Sequence, residues 1–463
     1  MRILILILII IPIMGYAQEY NFYEDFLWIK KTIEENDAGF RYAIEQKGIE
    51  AYTKHNEIIA NQLRQGNRGL EGFELLYEWL KFFRKDHIDI LPSDMNKFIS
   101  IHKESLKKQN FDNWEKIELD VTDFKDYLIN KSKDDIEGIW IYEPYKIGIK
   151  KQGKEYIGFI IEDRSEIWKK GQIKLRIPIT KDKITYYMQD HSKKIFNEPE
   201  IIEKHLIRFN YVTFRKEYPK IEMNKSLKYY YDMITLSHPF IKKLNENTII
   251  LRIPSFSYLE KAKIDSLIKS NKDLLMTMDN LIIDLRNNGG GDDRSFKKLI
   301  PFIYTNPIRT IGTEFLSTPL NNKLRNWNTE DLEKLNSNIG KFVNLNDSIV
   351  SIIKLDTIYS KPKSVGIIIN ENNASTTEQF LLAAKQSKKV KLFGVTTAGV
   401  LDISNVHTVE SPNKEIKLRY CLSRSMRIPE MTIDNKGIQP DYYIDETIPK
   451  YKWIEFVNRI LNE

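Results

Sequence analysis

The sequence predicts a multidomain α+β protein, and three changes of periodicity predict it. Apolar residues recur at three- and four-residue spacing from Tyr20 to about Leu91, at every second position from about 137 to 235, and in alternating strand-like and helix-like runs from about Lys242 onward. The expected order is a helical N-terminal domain (18–130), a small antiparallel β module (137–235) and a C-terminal α/β layered domain (242–463). With 463 residues, 41% hydrophobic and 11% aromatic, the chain has ample material for such cores and is not a disordered protein.

The first segment, "MRILILILIIIPIMGYAQEY", has one Arg, an apolar run from Ile3 to Met14 and a small-residue end at Gly15-Tyr16-Ala17. The run is shorter than the roughly 20 residues that span a bilayer, so it reads as an export signal cut before Gln18. No later stretch is long and apolar enough to cross a membrane, so no stable insertion is expected after signal removal, and the compartment is periplasmic or extracellular. The next elements, "YEDFLWIKKTIEEN" and "FELLYEWLKFFRK", are amphipathic helices, with a further one between them and another reaching about residue 130. From "EGIWIYEPYKIGIKK" onward, Trp, Tyr and Ile alternate with polar residues between Gly-containing turns, which predicts short antiparallel strands with an aromatic core stripe. The last part alternates "NTIILRIP", "DNLIIDLRNN", "SVGIIINEN", "EQFLLAAKQS" and "KVKLFGV".

Composition narrows the chemistry. The 71 basic and 64 acidic residues leave a formal +7 without long basic runs, so no nucleic-acid partner is expected. A single cysteine, Cys421, excludes an intrachain disulfide framework and any multi-Cys metal site; in its strand-like context it reads as a buried structural thiol.

Two turns carry the candidate chemistry. In "LIIDLRNNGGGDDRSF" an apolar strand ends at Asp284 and three glycines allow close backbone approach to a ligand, which suits an oxyanion hole or, less well without a following Gly-Lys-Ser/Thr, a phosphate cradle. In "SVGIIINENNASTTEQF" a second buried strand leads through a polar turn into a helix beginning near Ser375. Such a strand-turn-helix displays a hydroxyl at the sheet edge with the following N–H, here of Thr376, facing the same space. Ser375 with Glu378 also spells a capping box, so a purely structural serine is the competing reading.

Together "IILRIPSFS", "LIIDLRNNGGG", "NASTTEQF", "LFGVTTAGV" and "IDNKGIQPDYYID" resemble the ordered signatures of the S41, or tail-specific (C-terminal processing), serine peptidases. The resemblance implies a ClpP/crotonase-like catalytic domain, a Ser375 nucleophile, an oxyanion hole of the Gly290 and Thr376 N–H groups, a peptide or protein substrate, and no metal or organic cofactor. It also implies a catalytic Lys at position 400, but the residue is Val400, which cannot accept a proton. Lys389 and Lys391 read as strand-edge charges. The chain is closer to the His-based, tricorn-like branch, whose base comes from an N-terminal Asp-x-His segment; "FRKDHIDIL" supplies Asp86 and His87. Imidazole is the natural base near neutral pH. Of the seven histidines, His87 is therefore the expected base and His407 the reserve. By the same analogy an acidic residue orients the imidazole; Asp434 stands where the family more often has Glu, with Glu430 as the alternative. The β module lacks a Gly-Leu-Gly-Phe-like carboxylate-binding loop, so a PDZ module is not evident. The rival reading is an inactive S41-like binder of peptides or apolar ligands; an enoyl-hydratase-like enzyme rests on the layered fold alone.

Overall fold

The computed structural model describes residues 22–65, 70–95, 111–118, 120–129, 136–346 and 348–463. The expected export signal at 1–17 lies outside the described residues, as does His102. The described chain forms two compact units, one of residues 22–93 with 225–463 and the other within 94–224.

At the centre of the first unit is a six-stranded sheet in the order Phe240–Lys243, Thr248–Arg252, Asn280–Asp284, Ser364–Ile369, Val390–Gly394, Tyr442–Tyr443. The first pair is antiparallel and the other four pairings are parallel. Parallel strands covered on both faces read as continuous apolar runs, and Thr248–Arg252 and Asn280–Asp284 are buried at every position. On one face Ile249, Leu281, Val365 and Ile367 pack with Ile264 and Ile268 of helix Tyr258–Ser270 and with Phe380 and Leu381 of helix Thr376–Ala384. On the other face helix Trp453–Asn462 crosses so closely that a Cβ on Gly366 would stand 2.8 Å from Val457 Cγ1. The turns after Asp284, Ile369 and Gly394 leave the carboxyl ends of three adjacent parallel strands, the edge where open α/β sheets gather their ligand sites.

The N-terminal helices were expected to form their own domain, but they share a core with the C-terminal half. Phe26, Ile29 and Ile33 of Phe22–Asn36, Ile59 and Leu63 of Ile49–Arg64, and Leu76 and Trp79 of Leu70–Lys81 pack with Ile416, Leu418, Tyr420 and Leu422. These last four lie on strand Ile416–Ser425, which belongs to a five-stranded sheet also containing Asp89–Pro92 and Ile403–Glu410. Each helix buries one apolar stripe, and three stripes find the surface they need on this sheet.

The second unit is a nine-stranded antiparallel sheet running from Gly138–Tyr142 to Val212–Tyr218, with Lys193–Asn197 and Glu200–Ile202 at its two edges. The aromatic stripe is core: Trp140, Tyr145, Tyr186 and Phe214 are buried with Ile147, Ile160 and Leu175. Phe124 and Leu128 of helix Val121–Ile129 cover a second apolar cluster with Ile139, Ile157 and Phe159, so the helix expected near residue 130 belongs to this unit rather than to the N-terminal helices.

Candidate active site

The turn at Ser375 is built by asparagines. Asn370 N–H donates to Asn373 Oδ1 (2.7 Å), Asn373 Nδ2 donates to Leu285 O (2.5 Å) and Asn288 O (3.0 Å), and Asn287 N–H donates to Asn370 Oδ1 (2.8 Å). Satisfying the turn's backbone from inside lets it reverse sharply between buried strand and buried helix. Ser375 sits at the apex with φ 57° and ψ −126°, a conformation that costs a non-glycine residue roughly 1–3 kcal/mol. Its neighbours Ala374, Thr376 and Thr377 are buried, while Ser375 itself is only half-buried. Helix Thr376–Ala384 begins directly after it, so the positive end of the helix faces any charge that develops there.

Gly290 lies against this apex. Its φ is 97°, and a Cβ there would stand 2.7 Å from Ala374 O, 2.8 Å from Ser375 Cβ and 2.9 Å from Thr376 N. Of the two expected oxyanion donors, the Thr376 N–H has no hydrogen-bond partner among the described residues. The Gly290 N–H is engaged, donating to Asn288 Oδ1 at 3.0 Å. The same Asn288 oxygen also accepts the Thr377 hydroxyl (2.9 Å). Asn side chains readily bond the backbone two residues on, and that local turn competes for the donor.

Glu378 does more than cap the helix. Fully buried, it accepts from Ser375 N–H (3.2 Å), Thr397 Oγ1 (2.5 Å), Gly399 N–H (2.7 Å) and Val400 N–H (2.8 Å). Burial pushes its carboxyl above the ordinary carboxylate value, against the lowering effect of those donors. The Val400 carbonyl returns to the Ser375 turn, accepting Ser375 N–H at 2.7 Å. The loop that would carry a lysine base thus supports the serine through its backbone. Lys389 and Lys391 sit at the start of strand Val390–Gly394, the sheet edge opposite the site; the Lys389 ammonium donates to Tyr359 O (3.5 Å).

His87 precedes strand Asp89–Pro92 with φ 61°. Its backbone is pinned from three sides: His87 N–H donates to Asp86 Oδ1 (3.0 Å), and His87 O accepts from Arg84 Nη2 (3.1 Å) and Cys421 Sγ (3.4 Å). Arg84 is in turn held by a two-pronged, buried pairing with Asp37 (2.7 and 2.6 Å). The imidazole Nδ1 lies 2.7 Å from Ile403 O. A carbonyl only accepts, so Nδ1 carries the hydrogen and a neutral ring keeps its lone pair on Nε2. Burial lowers the His87 pKa below the ordinary value; the hydrogen bond to Ile403 O, Asp86 and Asp434 oppose the shift without overcoming it.

Asp434 was expected to grip the imidazole, but its carboxylate is occupied elsewhere. Oδ1 accepts Leu401 N–H (2.6 Å) and Asp402 N–H (2.7 Å), and Oδ2 accepts Ile403 N–H (3.3 Å). The contact to Nδ1 is made by the Ile403 carbonyl; the aspartate, one methylene shorter than glutamate, holds the backbone that carries it. Burial, then the neighbouring Asp402, raises the Asp434 carboxyl above its ordinary value. His87 and Asp434 line one small cleft with Arg84, Lys85, Gly399, Val400 and Ile403. Ser375 is outside that lining and is tied to it by its N–H, which donates to Val400 O. The two alternatives are also outside it: Glu430 is exposed, and His407 lies four residues farther along strand Ile403–Glu410, about 13 Å from Ile403 at the usual rise.

Sequence reasoning passed over Asp402 and the Ile403 carbonyl, and gave Glu378 only a capping role. Only Glu378 had a signal, its spacing three residues after a serine.

Residues 247–444 match the family model described as Peptidase family S41. No curated protein matches the chain. Among solved structures, mature CPAF is 12% identical with a TM-score of 0.52, over 95% of this chain and 96% of that one. A lipoprotein from Streptococcus agalactiae is 14% identical with a TM-score of 0.41, over 97% and 99%. The photosystem II D1 C-terminal processing protease is 10% identical with a TM-score of 0.40, over 97% and 98%. At these identities the likeness to mature CPAF is one of fold.

Proposed function

We propose that the chain is a serine-type peptidase of the S41 kind, a reading supported by the match of residues 247–444 to that family model, and that it hydrolyses peptide bonds through an acyl-enzyme on Ser375 with His87 as base. The observation that carries this reading is the 2.7 Å contact from His87 Nδ1 to Ile403 O, which leaves Nε2 as the proton acceptor in a cleft shared with Val400, the residue that holds Ser375 N–H.

In the proposed cycle His87 Nε2 takes the Ser375 proton as Oγ attacks the peptide carbonyl. The Thr376 N–H, at the positive end of its helix, receives the oxyanion. Gly290 N–H becomes the second donor when the bound substrate draws it from Asn288 Oδ1. The imidazolium returns its proton to the leaving amine, and water, activated by the same imidazole, releases the acyl group. Asp434 acts through the 401–403 backbone, and its negative charge favours the imidazolium. The layered catalytic domain of ClpP/crotonase type and the His-based branch belong to the same proposal, and the apolar run Ile3–Met14 supports an exported location.

Labelling with a fluorophosphonate tests the reading. Wild-type protein incorporates the probe at Ser375 and Ser375→Ala does not. A wild-type protein inert to the probe under conditions where it is folded would leave the non-catalytic binder as the answer.

A further inference from the structure

Asp402 is fully buried and is joined to Asp434 in both directions. Its Oδ2 accepts Asp434 N–H (2.9 Å), Ile433 N–H (2.6 Å) and Thr432 Oγ1 (2.7 Å), while Asp434 Oδ1 accepts Asp402 N–H (2.7 Å). Each aspartate therefore ties down the peptide of the other. Asp402 Oδ1 accepts Arg427 Nε at 2.9 Å, and Arg427 is itself buried. Two carboxylates set this close repel one another. The arrangement persists because five backbone N–H groups, a hydroxyl and a guanidinium converge on it.

What the lock controls is the next peptide. Ile403 N–H donates to Asp434 Oδ2 and Ile403 O accepts His87 Nδ1. A rotation of the peptides at 401–403 would carry that carbonyl away from the ring. A simple turn lock would need neither a second acid nor a carbonyl aimed at an imidazole from the other end of the chain.

We propose that Asp402 is a positioning residue for the base: interlocked with Asp434, it fixes the Ile403 carbonyl against His87 Nδ1 and so holds the imidazole in the tautomer with Nε2 bare. This rests on the reading of His87 as the base, but its geometric part can be measured without activity.

Asp402→Asn keeps the size of the side chain and sets an amide against N–H donors. In full-length protein with ¹⁵N-labelled histidine, the His87 ring nitrogens of the wild type report a single Nδ1–H tautomer at neutral pH. Asp402→Asn gives a mixture, with kcat reduced about tenfold and KM within twofold. A single unchanged tautomer in a folded Asp402→Asn protein, whatever its kcat, overturns the proposal. Should that variant fail to fold, Thr432→Val removes one hydrogen bond from the same carboxylate; a partial tautomer shift is then expected, and an unchanged spectrum overturns the proposal equally. A wild type with the Nδ1–H tautomer but no fluorophosphonate labelling refutes the peptidase reading and leaves the positioning geometry standing.

Discussion

Ser375 is placed by turns that leave adjacent strands of one sheet, whereas the imidazole of His87 is placed by a carbonyl 316 positions away in the chain. The serine turn is satisfied by its own asparagines, by the glycine turn of the neighbouring strand and by Glu378 one helical turn on. His87 hangs on a relay of longer reach: Asp37 holds Arg84, Arg84 holds the His87 backbone, and Asp434 holds the strand start that presents Ile403 O. The proposed nucleophile is thus a property of one supersecondary unit, while the proposed base is a property of the folded whole. Damage to the first should act on chemistry at one atom, and damage to the second should act through misplacement.

The largest break comes from removing the proposed base. His87→Ala should lower peptide hydrolysis and fluorophosphonate labelling about a thousand-fold or more, with far-ultraviolet circular dichroism unchanged, since a half-buried ring at a loop carries little of the core. Turnover that survives this substitution would move the base role to another residue and dissolve the comparison. Gly290→Ala attacks the other region. The new methyl would meet Ala374 O, Ser375 Cβ and Thr376 N at 2.7–2.9 Å, and alanine resists a φ of 97°. Displacing the nucleophile by a fraction of an ångström to an ångström costs about a hundred-fold in labelling rate. A lowered melting temperature should accompany it. An unaffected rate would mean that the glycine turn does not constrain the serine.

This division also explains what could be read in the residues. The strands Asn280–Asp284 and Ser364–Ile369 are apolar runs of the length parallel strands require, and the turns after them are spelled in Asn and Gly, so sheet, nucleophile turn and glycine turn were legible. The stripes of Phe22–Asn36 and Leu70–Lys81 announced amphipathic helices, but nothing in them says that Ile416, Leu418 and Tyr420 are what they cover. That partner is set by tertiary packing. His87 and Asp434 were found through the resemblance, and the structure puts both in one cleft. The atom between them is a backbone carbonyl, and a carbonyl has no signature in a sequence. Asn288 capturing the Gly290 N–H was illegible for the same reason, because every Asn-x-Gly allows it and only the turn geometry decides.

A smaller effect sharpens the nucleophile side. Glu378→Gln keeps the side chain's reach but replaces an anion that accepts four hydrogen bonds with an amide that must turn a donor toward one of three N–H groups. The turn stays folded, because Asn370 and Asn373 still close it. We expect kcat to fall about tenfold with KM little changed. A change confined to KM would place Glu378 in substrate binding instead.

The smallest effect is a matter of pH and belongs to the base side. As the proposed base His87 acts only when neutral, and burial outweighs the Ile403 carbonyl and the carboxylates of Asp86 and Asp434, so its pKa lies below the ordinary 6.5. The acid limb of the labelling rate therefore has its midpoint below pH 6.5, and at pH 6 the rate stays above about a quarter of its plateau, the neutral fraction an unshifted imidazole would retain. The linked stability term has the matching sign: the unfolded chain takes up the proton first, so acidification below pH 6.5 favours unfolding by this group until the folded-state pKa is passed. A labelling midpoint above 6.5 would require the acidic neighbours to dominate the ring. Asp434 would then be gripping the imidazole itself rather than the peptides of residues 401–403, and the indirect construction of the base would be replaced by a direct ion pair.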